Sequence, residues 1–198
     1  STETAAMVAV LPPARFLAGE PGGGDPLVDV ELRLASDGAL ELRTDRLALG
    51  RWRADQPEQW EKLMDADGWW RSGDKAALTP GLQIAGRIDG AIHSGGETVF
   101  PEQLEQRLMA ALQAASLPVN AVLLLGVDDP EWGQRLVALV GSSDAAVLQR
   151  LELLTRPWPA AETPRRWLLC PDLAPNALGK WQRQCWREWL ERLDAAEA

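Results

Sequence analysis

The sequence predicts a mixed α/β chain of the α+β kind: a β-rich first part, then a smaller unit with a short sheet flanked by helices. Three observations carry this. Val28 to Leu34 and Ala39 to Leu42 alternate apolar and polar residues around Ser36-Asp37-Gly38, the patterning of a hairpin. Leu104, Leu108, Met109 and Leu112 fall on one helical face behind Pro101, a favoured first-turn residue. Asn120 to Val127 is a continuous apolar run, as in a strand covered on both faces.

The remaining elements follow in order. Met7 to Leu11 is a short apolar run stopped by Pro12-Pro13, and the glycines and prolines between Gly19 and Pro26 mark a loop. Gln56 to Met64 reads as a short helix starting after Asp55 and ending near Gly68. Trp69 to Asp74 and Leu82 to Arg87 read as strands around Thr79-Pro80-Gly81. Beyond the helix Glu102 to Ala115 come strands Asn120 to Val127 and Arg135 to Val140. A helix Asp144 to Leu154 follows, with Ser142-Ser143 as its cap, then a strand Trp167 to Cys170 and a last helix Trp181 to Leu193. This order makes a compact α/β unit from about residue 90 onward.

A chain of 198 residues suits one or two modest domains. Its net charge of -9 argues against nucleic acid or an anionic membrane surface as main partner, since both favour a basic face. Nucleotides stay open, because loops hold them locally with backbone N–H groups and one or two cations. No segment approaches about 18 consecutive apolar residues, so no membrane span is expected. The start lacks the basic region and cleavage pattern of a secretory leader, and two cysteines, Cys170 and Cys185, do not make a disulfide framework. A cytoplasmic location is therefore expected. The chain opens Ser1-Thr2-Glu3-Thr4 without an initiator methionine, as expected of a processed or truncated piece of something longer.

Four segments carry candidate chemistry. In GRIDGAIHSGGETVFPEQLE, from Gly86 to Glu105, Gly95-Gly96 permit a positive φ or close approach to a ligand. Arg87 offers a planar fork for phosphate or ribose oxygens, and Asp89-Gly90 is a place for the chain to swivel. In GWWRSGD, Asp74 follows a glycine at a strand end, where a carboxylate can accept two ribose hydroxyls. In PNALGK, Lys180 is a mobile point charge on a loop before a helix. In Thr2-Glu3-Thr4, glutamate suits Mg²⁺ and threonine a phosphate contact. Taken singly, each has an ordinary reading: a glycine-rich turn, an aspartate ending a strand, a solvated lysine, three terminal residues. His93, the sole histidine, reads as a structural or surface residue. Trp69, Trp70, Trp132, Trp181, Trp186 and Trp189 read as packing rather than a ligand cage.

Taken together, TET, GWWRSGD, GRIDGAIHSGGETVFPEQLE, GVDDPEWGQRLVA and PNALGK resemble successive motifs of the adenylate-forming enzymes, from residue 1 to about residue 190. That family includes acyl-CoA synthetases, aryl-CoA ligases, nonribosomal adenylation domains and luciferases. The resemblance implies an enzyme that joins a carboxylic acid to ATP, giving an acyl-adenylate and pyrophosphate, and then lets a thiol such as coenzyme A displace AMP. Carried over by motif, Thr2 touches phosphate, Glu3 holds Mg²⁺, Asp74 binds both ribose hydroxyls and Arg87 contacts ribose or phosphate. Lys180 bridges carboxylate and phosphate oxygens during adenylation. Asp89 marks the hinge, and Ser94, Gly95 and Gly96 face coenzyme A after a rotation there.

The resemblance makes residues 1–88 the β-rich end of the large domain and residues 89–198 the small mobile domain. Gly90 departs from the acidic or larger residue common there, Thr98 from a common asparagine, and His93 from an apolar residue or lysine. The phosphate loop, acyl pocket and most of the large domain lie upstream of anything in this sequence, so the chain alone is expected to be inactive. STETAAM, LPPARFLAGEPGGGDPL and the compact stretch before GWWRSGD look most like o-succinylbenzoate–CoA ligases of menaquinone and phylloquinone synthesis. Another acyl- or aryl-CoA ligase, or a non-catalytic fragment that binds nucleotide or coenzyme A, are the alternatives.

Overall fold

The computed structural model describes residues 1–53 and 55–197. They form two compact units, Ser1–Gly90 and Ala91–Ala198. The first contains β1 (Ala9–Val10), α1 (Pro13–Leu17), β2 (Asp25–Pro26), β3 (Glu31–Leu34), β4 (Ala39–Arg43), β5 (Gly50–Arg53), β6 (Gln56–Lys62), β7 (Trp70–Ala77) and β8 (Gln83–Arg87), ending in a 3-10 turn at Ile88–Gly90. The second contains β9 (Ile92–Ser94), β10 (Glu97–Val99), α2 (Pro101–Ala114), β11 (Val122–Asp129), β12 (Gly133–Val140), α3 (Ala146–Thr155), β13 (Arg166–Leu169) and α4 (Arg183–Glu197). The α+β class is that of the sequence reading.

In the first unit, β3, β4, β7 and β8 make an antiparallel sheet in that order. The predicted hairpin is present, with Leu32 opposite Leu42. Its inner face buries Leu40 and Leu42, while Arg33–Glu41 and Arg43–Glu31 pair across its outer face. Alternation is what allows both faces to be satisfied at once.

Gln56 to Met64 is not a helix. Gln56–Lys62 is a strand, paired antiparallel with β5. Trp52 and Trp60 are cross-strand partners with ring centroids 5.0 Å apart in a T-shaped contact, and Arg51 faces Glu61. Such pairs stabilise a sheet by roughly 0.2–1 kcal/mol each, and a proline at position 57 disfavours a helix interior. Pro13–Leu17 forms a short helix just beyond the apolar run Met7 to Leu11, where no element was expected; Pro13 is its first residue, where a missing N–H costs nothing.

In the second unit, β12 is central: it pairs antiparallel with β11, parallel with β13, and meets β9 at Gly133–Ser94. The apolar run of β11 is explained by its two covered faces. Val122 and Leu124 pack with Leu104, Leu108 and Leu112 of α2 and Val147 and Leu151 of α3. Leu123 and Leu125 pack with Leu173, Cys170 and Leu190 of α4. The cap of α3 differs from expectation. Its first helical residue is Ala146, and Asp144 Oδ1 accepts the Ala146 N–H at 2.9 Å, while the Ser142 hydroxyl accepts the Asp144 N–H at 3.1 Å. The serine thus orders the turn before the helix instead of capping it.

The tryptophans largely pack. Trp70 and Trp158 are buried, and Trp181, Trp186 and Trp189 flank the core under α4. Arg33 lies over the Trp69 ring at 4.0 Å. No helix among the described residues is long and apolar enough to cross a membrane.

Candidate functional site

The first locus lies wholly in the unit 1–90. Asp74 on β7 and Arg87 on β8 are direct antiparallel partners, so two chemically opposite groups emerge side by side from one sheet. Gly73, at φ +80°, turns the chain just before Asp74, a backbone shape glycine adopts without strain. There the Ser72 carbonyl accepts from Arg87 Nη1 at 3.3 Å. Asp74 Oδ1 is 3.9 Å from the same nitrogen.

Arg87 also forks onto Asp89: Nε donates to Asp89 Oδ1 at 3.0 Å and Nη2 to Oδ2 at 2.7 Å. This contact raises the guanidinium pKa and lowers that of the Asp89 carboxyl. Both groups are more than half exposed, and pairs of that kind are worth only about 0–1 kcal/mol. Arg87 can therefore exchange Asp89 for an anionic ligand at little cost.

Glu3 reaches the same place from the N-terminal turn. Its carbonyl accepts the Ala48 N–H at 2.7 Å, and its carboxylate accepts the Ser1 hydroxyl at 2.7 Å. That hydroxyl, helped by the backbone N–H and by the nearby Ser1 ammonium and Arg51, holds the Glu3 carboxyl below the usual range. Glu3, Arg51, Lys62, Ser72, Gly73 and Arg87 are among the residues lining a polar cavity of about 280 Å³. Thr2 is exposed and does not line it; its carbonyl accepts the Ala5 N–H. Thr4 is the buried threonine of the turn, bonded to the Ser1 and Ala6 carbonyls. Asp74 stands beside the cavity rather than in its lining.

The second locus lies in the unit 91–198. Gly95-Gly96 form the two-residue turn between β9 and β10, both with positive φ. This is the hairpin turn that glycine pairs favour. A Cβ on Gly95 would sit 2.5 Å from the Trp132 ring, whereas one on Gly96 would meet nothing within 4 Å. Gly95, Thr98, Val99, Trp132 and the segment 159–162 border a cavity of about 460 Å³. Ser94 is fully buried and its hydroxyl has no hydrogen-bond partner among the described residues, so only the glycines present a surface here. His93 is exposed, 3.4 Å from the Thr98 hydroxyl, which fits the surface reading. Replacing Gly95 by alanine is expected to lower stability by about 1–3 kcal/mol, since a non-glycine residue is strained at positive φ and here also clashes. Gly96→Ala should cost less. Thermal unfolding followed by tryptophan fluorescence checks both; equal melting temperatures for the two variants would contradict the clash.

The third locus is the loop holding Lys180, which is exposed and lies just before α4.

No family model matches the chain. It is 32% identical to the 2-succinylbenzoate–CoA ligase of Escherichia coli K12 over 85% of its own length. Superposed on the structure of E. coli MenE with a bound phenylether-linked analogue of OSB-AMS, it gives a TM-score of 0.68 at 31% identity over 96% of the chain. The chain is related to the C-terminal part of the adenylate-forming enzymes. MenE from Bacillus subtilis in complex with ATP and magnesium shares the fold, with a TM-score of 0.72 at 21% identity over 92% of the chain. The chain spans only 36% of the E. coli relative and 39% of each of the two structures.

Three contributions escaped the sequence reading. Lys62 lies within the expected helix Gln56 to Met64 and Arg51 on the strand that pairs with that segment, so their convergence on Glu3 was hidden. Trp132 was read as packing, but not as the ring against Gly95. Asn176 carried a turn signal within PNALGK, yet only Lys180 was singled out.

Proposed function

We propose that this chain is the C-terminal part of an ATP-dependent acid–thiol ligase that works through an acyl-adenylate, with o-succinylbenzoate as the acid and coenzyme A as the thiol. The observation that carries the reading is the Asp74–Arg87 pair, set in register beside a polar cavity that also receives Glu3. Residues 1–88 are then the end of the large domain and residues 89–198 the small mobile domain, turning at Asp89.

In the first half-reaction an oxygen of the acid attacks the α-phosphorus of ATP and pyrophosphate leaves. Asp74 accepts the ribose hydroxyls. Arg87 releases Asp89 and contacts ribose or phosphate, and Thr2 touches phosphate. Glu3 is the residue that would hold Mg²⁺. Among the described residues no three His, Cys, Asp or Glu gather as a metal cage. A lone carboxylate still fits this ion, which takes one or two carboxylates and completes its shell with water and phosphate oxygens. The metal, when bound, neutralises phosphate charge. Lys180 places its cation on the carboxylate and phosphate oxygens. In the second half-reaction the thiol sulfur attacks the acyl carbon and AMP leaves. The Gly95-Gly96 turn supplies the slot past which the thiol arm reaches the adenylate.

The named relatives support o-succinylbenzoate as the acid. Another acyl- or aryl-CoA ligase is the second reading, favoured by a 31% identity over 63% of the chain to a 4-chlorobenzoate–CoA ligase of Arthrobacter sp.. The test joins the chain to its natural upstream sequence and supplies ATP, Mg²⁺, coenzyme A and a panel of acids, with acyl-CoA read by mass spectrometry. One strong product from o-succinylbenzoate is expected. A product from a different acid keeps the ligase and discards the substrate, and no product from any acid overturns both. The 198-residue chain alone is expected to make no thioester.

A further inference from the structure

We propose that Asn176 and Glu105 are positioning residues for Lys180. The proposal rests on the adenylation role given to Lys180 above. The loop is closed on itself by one side chain: Asn176 Oδ1 accepts the N–H of Leu178 at 3.0 Å and of Lys180 at 2.9 Å. The Asn176 N–H donates to the Lys180 carbonyl at 2.9 Å, and the Gly179 N–H to the Asn176 carbonyl at 2.8 Å. Gly179 completes the turn at φ +72°. Both backbone polar groups of Lys180 are thus held by Asn176, while its side chain stays exposed.

The closed loop is in turn moored three residues later. Arg183, the first residue of α4, donates from Nη1 to Glu105 Oε1 and to the Leu124 carbonyl, both at 2.9 Å, and from Nη2 to Glu105 Oε2 at 2.8 Å. Glu102 Oε1 stands 3.4 Å from Nη2. Glu105 is only 8% exposed and also accepts the Leu124 N–H at 2.7 Å. Three residues of chain reach at most about 10 Å, so fixing Arg183 restricts where Lys180 can lie.

Apolar packing holds the chain beside Lys180 at Trp181, which flanks the core, but not within the loop itself. Leu178 is 82% exposed, and a cavity of about 440 Å³ opens among Glu102, Glu105, Met109, Pro175, Trp181 and Arg183. A buried ion pair adds little stability over an apolar replacement of the same shape; what this one adds is a bidentate, fixed geometry. A lysine on a long flexible stem needs that, because misplacing a reacting group by about 1 Å can cost about a hundredfold in rate.

The test uses the chain joined to its natural upstream sequence and measures the half-reactions separately. Asn176→Ala and Glu105→Gln should each lower kcat for adenylation by about tenfold to a hundredfold, with KM for ATP within about threefold. Thioester formation from supplied acyl-adenylate should stay within about twofold. In a Lys180→Ala background neither change should slow adenylation further, because both act through that residue. Amide hydrogen exchange at Leu178 and Lys180 should quicken by about tenfold or more in Asn176→Ala, a readout independent of turnover. Losses that add to Lys180→Ala, equal losses in both half-reactions, or unchanged exchange would overturn the proposal. If Lys180→Ala alone leaves adenylation at its normal rate, the fault lies in the role given to Lys180, and the exchange data still report whether Asn176 holds the loop.

Discussion

Lys180→Ala, in the chain restored with its upstream sequence, should slow acyl-adenylate formation by about two to three powers of ten. Thioester formation from supplied acyl-adenylate should hardly change. The argument is electrostatic. As the acid oxygen approaches the α-phosphorus, negative charge gathers on the phosphate oxygens and on the departing pyrophosphate. A cation placed there in advance needs no reorganisation during the reaction, and such groups are often worth about 3–4 kcal/mol. Lys180 is suited to this because its backbone is held at both polar groups and its side chain is exposed. In the second half-reaction charge gathers on the acyl oxygen and on the departing AMP phosphate, but under the proposed rotation at Asp89 Lys180 has by then left the adenylate, so its loss should not bear on that step. Lys180→Arg should recover only part of the rate, since a planar fork does not replace a point charge at one spot. Separate assays of pyrophosphate release and thioester formation decide it. Equal loss in both half-reactions would remove the assigned role.

Local patterns were legible, and long-range pairing was not. The β3–β4 hairpin, α2 and the doubly covered β11 follow from periodicity and turn chemistry alone. The β5–β6 hairpin did not. Trp60, Leu63 and Met64 recur at helical spacing, while the partner that makes Trp60 a strand residue is Trp52, across the turn. Proline at position 57 was the available warning. The insertion of this hairpin between the neighbouring strands β4 and β7 depends on closure of a long segment, for which local sequence holds no signal.

The candidate site divides the same way. Asp74, Arg87 and Lys180 stand on glycine-marked motifs, because each needs the chain to turn sharply just before or beside it. Lys62 has no such mark, Arg51 follows a glycine that belongs to none of the motifs, and Glu105 closes a motif without a turn beside it: each is an ordinary charged residue in a strand or helix until the fold brings its partner. Arg183 is 78 residues from Glu105, a separation at which no pattern of spacing could pair them. Ser94 shows the converse. The motif placed it beside Gly95 and Gly96, but strand alternation turns its side chain into the interior.

That pairing also gives the largest expected effect on stability. Strand β11 is an edge of its sheet, with β12 on one side only. At the middle of its open edge the Leu124 N–H is taken by Glu105 and the Leu124 carbonyl by Arg183. The ion pair therefore does what a neighbouring strand would do, satisfying backbone groups that are costly to leave bare. Glu105→Ala removes the acceptor for Leu124, takes away the bidentate partner of Arg183, and leaves that guanidinium with Glu102 and one carbonyl. Breaking one side of a buried pair costs about 3–5 kcal/mol, a large share of the roughly 5–15 kcal/mol that holds a domain together. Burial raises the Glu105 carboxyl pKa even beside Arg183, which shows how much desolvation the pair already bears. Glu105→Gln keeps an acceptor for Leu124 and should cost less than half as much. Combining Glu105→Leu with Arg183→Met, which removes both charges, should recover part of the loss seen with Glu105→Ala. Urea unfolding followed by tryptophan fluorescence ranks the variants. A double variant less stable than Glu105→Ala would mean that the bare edge of β11, and not the stranded charge, sets the cost.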